Sequence, residues 1–249
     1  MKDRYGIIGN PLTHSASQEY FTKKFKDENI DAEYSKYPLS DISQLPDLIK
    51  SVENLKGLNV TIPYKEQVIP YLDGLEEGTR NMGAVNVIKV VRSGEGIKLI
   101  GYNSDLIGFQ NSISPLLKPH HRKALILGTG GASKAVAQGL RNLGLIFEFV
   151  SRKKEQPDTI HYDDLTKSVF DEFTVIVNAT PLGTYPNVSE FPPIPYKYLT
   201  KDHLLYDLVY NPPLTKFLEK GKEMGATIKN GEEMLVLQAI AAWNIWGEK

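Results

Sequence analysis

The sequence predicts an α/β protein of two domains, and three observations carry that prediction. Its 249 residues suit two compact units of about 100–150 residues each. Short apolar runs that stop at Gly, Asn or Pro alternate with amphipathic stretches, the order expected of βα units. Third, Leu125 to Ala135, LILGTGGASKA, is an apolar run that turns through three glycines into a helix. Leu125, Ile126 and Leu127 read as a strand buried on both faces, and Gly128, Gly130 and Gly131 let backbone N–H groups come close to a phosphate.

Composition excludes several classes. Hydrophobic residues make up 41% of the chain, enough for ordinary cores. Lys plus Arg number 29 against 30 Asp plus Glu, a net charge of −1. Such a balance gives no long-range field to draw in nucleic acid or an anionic membrane, so an anionic ligand must be caught locally. The absence of cysteine removes disulfides and thiolate metal sites, and no metal is expected. The start, MKDRYGIIGNP, reaches Gly and Asn before any long apolar core, unlike a secretory signal. Leu235 to Trp246 is interrupted by Gln238 and Asn244 and is shorter than the ~20 residues of a spanning helix. The expectation is a soluble, cytoplasmic protein, monomer or homodimer, without nucleic-acid or membrane partners.

In chain order, Arg4 to Gly9 reads as a buried strand ended by Asn10-Pro11. A helix follows with Ser15 as cap and Gln18 at the capping-box position, and the hydroxyls of Ser15 and Ser17 with the open N–H groups could also hold a carboxylate. Ala32 to Leu39 is the next strand, and Asp41 opens a helix to about Val52 with Pro46 in its first turns. Leu55 to Ile62 is a strand that Pro63 stops, which leaves Lys65 just beyond a carboxyl edge, where open α/β sheets place ligands. Glu66 to Arg80 reads as a polar helix, and Ala84 to Val91 with Gly96 to Tyr102 as an antiparallel hairpin turning at Ser93-Gly94-Glu95. Asn103-Ser104-Asp105 caps a helix to about Leu117, and His120 and His121 fall in a surface loop.

From Lys123 the pattern is strand, helix, strand (Lys123 to Gly128, Gly131 to Leu143, Leu145 to Ser151), the ~30-residue unit that a dinucleotide fold builds around its glycine loop. Thr174 to Val177 and Leu204 to Leu208 are further strands, joined by a proline-rich loop from Pro181 to Pro195. Thr215 to Met224 is a helix, Thr227-Ile228 a short strand, and Glu232 to Gly247 the last helix, with Met234, Leu237, Ile240, Ala241 and Ile245 near helical spacing. In a dinucleotide fold the end of the second strand meets the adenosine ribose. Here it reads Ser151-Arg152-Lys153-Lys154, and an arginine able to form charge-assisted hydrogen bonds to a 2′-phosphate favours NADP, with Glu155 the carboxylate that could bend back.

Several stretches in fixed order resemble the shikimate dehydrogenase family: GNPLTHSAS (Gly9 to Ser17), NVTIPYK (Asn59 to Lys65), GAVN (Gly83 to Asn86), GYNSD (Gly101 to Asp105), GTGGAS, NATPLG (Asn178 to Gly183), DLVYNPPLT (Asp207 to Thr215) and NGEEMLVLQA (Asn230 to Ala239). The resemblance implies a substrate-binding α/β domain over residues 1–102, a Rossmann-like doubly wound NADP domain over 103–231, and a last helix, 232–249, that returns to the first domain. It implies that Ser15 and Ser17 hold the shikimate carboxylate with Tyr210, that Thr61, Asn86, Asp105 and Gln238 read the ring hydroxyls, and that Lys65 and Asp105 form a coupled acid/base pair at the reacting hydroxyl in a cleft between the domains. It also implies that Gly128, Gly130, Gly131, Ala132, Ser151, Arg152, Lys153, Thr180, Gly231 and Met234 contact NADP.

The activity implied is the reversible NADPH-dependent reduction of 3-dehydroshikimate to shikimate in aromatic amino-acid biosynthesis. Alternatives are a quinate/shikimate dehydrogenase with relaxed substrate or NAD use, and a catalytically silent NADP-binding sensor. Three stretches depart from the family's pattern: Ser104 for Thr, Ser151-Arg152-Lys153 for Asn-Arg-Thr, and Thr184 for Met.

Overall fold

Two six-stranded sheets organise the chain. The computed structural model describes residues 2–12, 15–94, 96–153 and 157–247. Thr13, His14, Glu95, Lys154 and Glu155, which belong to stretches read from the sequence, lie outside them. The chain divides into one unit of residues up to Ser104 together with those from Gln238 onward, and a second from Asp105 to Leu237.

The first unit contains β1 (Asp3–Gly9), α1 (Ala16–Asp27), β2 (Ala32–Pro38), α2 (Leu45–Ser51), β3 (Leu55–Val60), α3 (Tyr64–Gln67), β4 (Gly74–Leu75), α4 (Glu77–Arg80), β5 (Val87–Ser93) and β6 (Gly96–Tyr102). Its sheet runs β2-β1-β3-β5-β6-β4, with β2, β1 and β3 parallel and β5 and β6 antiparallel. Alternate residues serve opposite cores: Ile8, Leu58 and Ile88 join one cluster, Tyr5, Ile7 and Val87 the other. That second cluster includes Trp246, whose indole N–H donates to the Ile88 carbonyl at 3.1 Å.

The second unit contains α5 (Ser104–Ile113), β7 (Lys123–Leu127), α6 (Gly131–Asn142), β8 (Ile146–Ser151), β9 (Thr159–His161), α7 (Lys167–Glu172), β10 (Val175–Asn178), β11 (Leu204–Asp207), α8 (Lys216–Glu223), β12 (Thr227–Lys229) and the first residues of α9 (Glu232–Gly247). Its sheet is parallel throughout, in the order β9-β8-β7-β10-β11-β12. This is the doubly wound order, with the switch of direction between β7 and β10. The unbroken apolar runs follow from it, because Ala124 and Ile126 face one core and Leu125 and Leu127 the other.

Several expectations are corrected. Residues 66–80 do not form one helix: Pro70 and Gly74 break them into α3, a short 3₁₀ turn, β4 and α4. The helix from Ser104 stops at Ile113 and continues as a 3₁₀ turn at Ser114–Leu116 around Pro115. β9 and α7 had no counterpart in the sequence reading. Ile240, placed in the buried stripe of the last helix, is 41% exposed. The units part at Ser104/Asp105 and Leu237/Gln238 rather than at 102/103 and 231/232. Asn103 and Ser104 are tied by hydrogen bonds to Ala84 and Asn86 of the first unit, and Met234 packs in a core cluster of the second. Among the described residues no helix is long and apolar enough to cross a membrane, and no three His, Cys, Asp or Glu side chains group as metal ligands.

Candidate active site

In the first unit the candidate residues sit beyond the carboxyl ends of β1 and β3. Ser15 caps α1, its hydroxyl oxygen accepting from the Gln18 N–H at 3.2 Å, so one lone pair is spent on the helix while the proton can still be donated. Ser17, two residues on, lies near the Tyr34 phenol, which burial pushes well above the ordinary tyrosine range while the Ser17 hydroxyl pulls weakly the other way. Past β3, the Thr61 N–H donates to Ile8 O at 3.0 Å and Tyr64 N–H returns to Thr61 O at 2.9 Å, a turn that carries the chain through Pro63 into α3. The buried Tyr64 hydroxyl donates to Leu39 O at 2.7 Å and the Lys65 carbonyl accepts from Val85 N–H at 2.7 Å. These bonds hold the half-buried Lys65 at the sheet edge from two sides.

A buried polar row runs beneath these residues. The Tyr34 hydroxyl donates to Asn59 Oδ1 at 2.6 Å, and Asn59 Nδ2 donates to the Asn86 carbonyl at 3.4 Å. Asn86 Nδ2 donates to Ser104 Oγ at 3.0 Å while its Oδ1 accepts the Ser104 N–H at 2.7 Å, and Ser104 Oγ lies 3.4 Å from Gln238 Oε1. Asn59, Asn86, Ser104 and Gln238 are all buried. Polar side chains in such positions must be satisfied internally, and here they satisfy one another.

In the second unit Gly128 has φ +106, and a Cβ there would meet Thr180 Cγ2 at 3.0 Å. Only glycine lets the loop turn this tightly. Gly130 is the N-cap of α6 without a side-chain cap, so the first-turn N–H groups, including those of Gly131 and Ala132, are left for a ligand. Ser133, at the sixth position of the motif, is buried and donates to Gly130 O at 2.5 Å, closing the turn from within. At the end of β8 the buried Ser151 Oγ accepts the Lys153 N–H at 3.1 Å, which presents Arg152 and Lys153 on the surface.

Thr180 donates through its hydroxyl to Asn178 Oδ1 at 2.6 Å, and Asn178 Nδ2 donates to Asp207 Oδ1 at 2.9 Å. Asp207 also accepts from Val209 N–H at 3.0 Å and from the Thr215 hydroxyl at 2.6 Å. Burial lifts its carboxyl to about 6, against the pull of those three donors. One carboxylate thus ties together the loops after β10 and β11, which carry Thr180 and Tyr210. Gly231 belongs to the same knot, since a Cβ there would strike the Leu208 carbonyl. Tyr210 is 42% exposed. Met234 is buried beside Phe109 and Tyr206 in the core cluster. Asp105 is a buried residue in the first turn of α5, where a helix N-terminus favours a carboxylate.

The first unit therefore assembles Ser15, Ser17, Thr61, Lys65, Asn86 and Gln238, and the second assembles the glycine loop, Ser151 to Lys153, Thr180, Tyr210 and Gly231, with Asp105 at its first residue. Comparison with known proteins identifies the family. A family model described as the shikimate dehydrogenase substrate binding domain matches residues 7–88. The shikimate dehydrogenase (NADP(+)) of Clostridium botulinum is 36% identical over 97% of this chain and 95% of its own length. The chain belongs to the shikimate dehydrogenase family.

Solved structures agree. Shikimate dehydrogenase 1 from Peptoclostridium difficile aligns with TM-score 0.82 at 36% identity, covering 98% of this chain and 91% of that one. Shikimate 5-dehydrogenase from Thermus thermophilus, solved with NADP(H) and shikimate, aligns with TM-score 0.84 at 29% identity over 98% and 93%. Within the shikimate dehydrogenase frame, sequence reasoning left Tyr34, Asn59, Asp207 and Thr215 without roles. Asn59 and Asp207 carried a signal, each a polar residue inside an apolar strand. Tyr34 and Thr215 carried none, being ordinary strand and cap residues until their partners are known.

Proposed function

We propose that this protein is an NADP-dependent shikimate dehydrogenase, reducing 3-dehydroshikimate to shikimate and running the reverse reaction. The observation that carries the reading is the likeness to curated enzymes of that name, at 36% identity over 97% of the chain. The second unit fits a dinucleotide phosphate: Gly128 makes room a Cβ would fill, α6 begins without a side-chain cap, and Arg152 is presented at the end of β8. Gly128, Gly130, Gly131 and Ala132 would take the diphosphate. Arg152, with Ser151 and Lys153, would take the 2′-phosphate, and Thr180, Gly231 and Met234 the remainder. When bound, NADPH supplies the hydride.

The chain's own residues do the rest. Ser15 and Ser17 donate to the substrate carboxylate with Tyr210, while Thr61, Asn86, Asp105 and Gln238 take the ring hydroxyls. As the ketone becomes an alkoxide, the Lys65 ammonium stabilises the negative charge on that oxygen. Lys65 and Asp105 together deliver or remove its proton. Appearance of reduced nicotinamide absorbance with shikimate and NADP tests the reading, and no absorbance change with pure protein overturns it.

Two relatives favour running NAD and a second substrate, here quinate, in parallel. The shikimate 5-dehydrogenase of Listeria monocytogenes was solved with shikimate and NAD, and a 5-ketofructose reductase of Gluconobacter shares this fold at 27% identity. A clear preference for NAD in that assay would locate the error at Arg152, and a preference for quinate would locate it in the first unit.

A further inference from the structure

Ser104 has no exposed surface, so it does not reach a bound ligand, yet it joins two side chains that the proposed function places on the substrate. A backbone N–H can only donate. The group that faces the Ser104 N–H at 2.7 Å must therefore be the oxygen of the Asn86 amide. That turns Asn86 Nδ2 toward Ser104 Oγ, at 3.0 Å, where the hydroxyl has to accept. The hydroxyl proton is then left for an acceptor. Asn86 Oδ1, 3.4 Å away, already holds the shorter bond from the Ser104 N–H, and Gln238 Oε1 stands at the same 3.4 Å as the second acceptor. One main-chain donor thus sets the direction of three successive hydrogen bonds, and both amides end with their oxygens facing inward.

We propose that Ser104 is a positioning residue that fixes the orientation of the Asn86 and Gln238 amides so that both offer N–H donors, and not carbonyl oxygens, to the ring hydroxyls of the substrate. This rests on the functional reading above and deepens it. Each hydroxyl those amides read accepts a hydrogen bond and keeps its own proton for another acceptor. A ligand with an ammonium at that place, which donates and cannot accept, meets the wrong partner, so the row selects an oxygen that accepts.

The test compares wild type with Ser104→Ala, Ser104→Thr and Ser104→Cys, measuring kcat and KM separately for shikimate and NADP. It then repeats the measurement with shikimate analogues that each lack one of the two non-reacting hydroxyls. Ser104→Ala is expected to raise the KM for shikimate about tenfold with a smaller change in kcat and none in the KM for NADP. Ser104→Thr, which restores the hydroxyl, should return the KM to within about twofold of wild type. With the analogue lacking the hydroxyl these amides read, the difference between wild type and Ser104→Ala should vanish. If the alanine variant does not fold, Ser104→Cys, which keeps the volume and weakens the hydrogen bonds, carries the same comparison. An equal penalty on shikimate and both analogues, a parallel rise in the KM for NADP, or no rescue by threonine overturns the inference. A wild-type protein that leaves shikimate unoxidised overturns the functional reading itself, and is distinguished by that control.

Discussion

The loop after β7 offers a ligand the main-chain groups of consecutive residues, Gly128 to Ala132, whereas the polar row of the first unit is gathered from positions 34, 59, 86, 104 and 238. Glycine in the loop serves by what it lacks, and each side chain in the row serves by what it supplies. The first arrangement is local and survives changes elsewhere in its unit. The second is as good as its weakest hydrogen bond, because the Asn86 and Gln238 amides meet only through Ser104. A dinucleotide site of the first kind can be shared among many enzymes, while specificity for one small ring needs the second kind.

Predictions can break that comparison in order of expected size. Lys65→Ala should lower turnover by roughly 10²–10⁴ while leaving the KM for NADP near wild type. Steady-state kinetics checks it, and a matched loss in NADP affinity would mean that the units are not separable. Trp246→Ala removes the indole that donates to Ile88 O and packs against Tyr5 and Phe21. It should destabilise the first unit by about 3–5 kcal/mol, read from denaturant unfolding. Arg152→Gln should raise the KM for NADP by about 10- to 100-fold and leave that for NAD unchanged, since only the former carries the 2′-phosphate. An equal effect on both would remove Arg152 from the discrimination.

The smallest effect is on acid stability, and it belongs to the second unit. Burial lowers the pKa of His121 and His203. Their unfolded forms take up protons first, so the stability they contribute is complete above the unfolded value of about 6.5 and is lost as pH falls below it. Asp207 works in the opposite direction. Its carboxyl is raised to about 6 from 3.8, so its contribution is present below the unfolded value and disappears as pH rises through about 6. His203→Gln should flatten the acid limb of a melting-temperature profile, and Asp207→Asn should steepen it.

Legibility in the sequence followed the same divide. Capping at Ser15 and at Asp41, whose partner Gln44 completes a capping box, was visible because cap and partner lie three residues apart. The glycine loop and its flanking strands were visible for the same reason. The row from Tyr34 to Gln238 was not, because its links join residues separated by 25, 18 and 134 positions and no periodicity spans such distances. Residues 66–80 misled because their polarity suits a helix while Pro70 and Gly74 forbid a continuous one. The edge strand β9 is three residues long and half-buried, too short for alternation to declare it.

The last helix has a consequence for the order in which the chain is made. Trp243 and Trp246 pack among Tyr5, Phe21 and Phe25, so the sheet begun at β1 receives its aromatic floor from α9, made after the whole of the second unit. On a ribosome most of the first unit emerges before the second and is completed after it. Through the synthesis of all of the second unit it waits with an open apolar face over Gly57 and Ile88, the stage at which a chaperone has the most to protect.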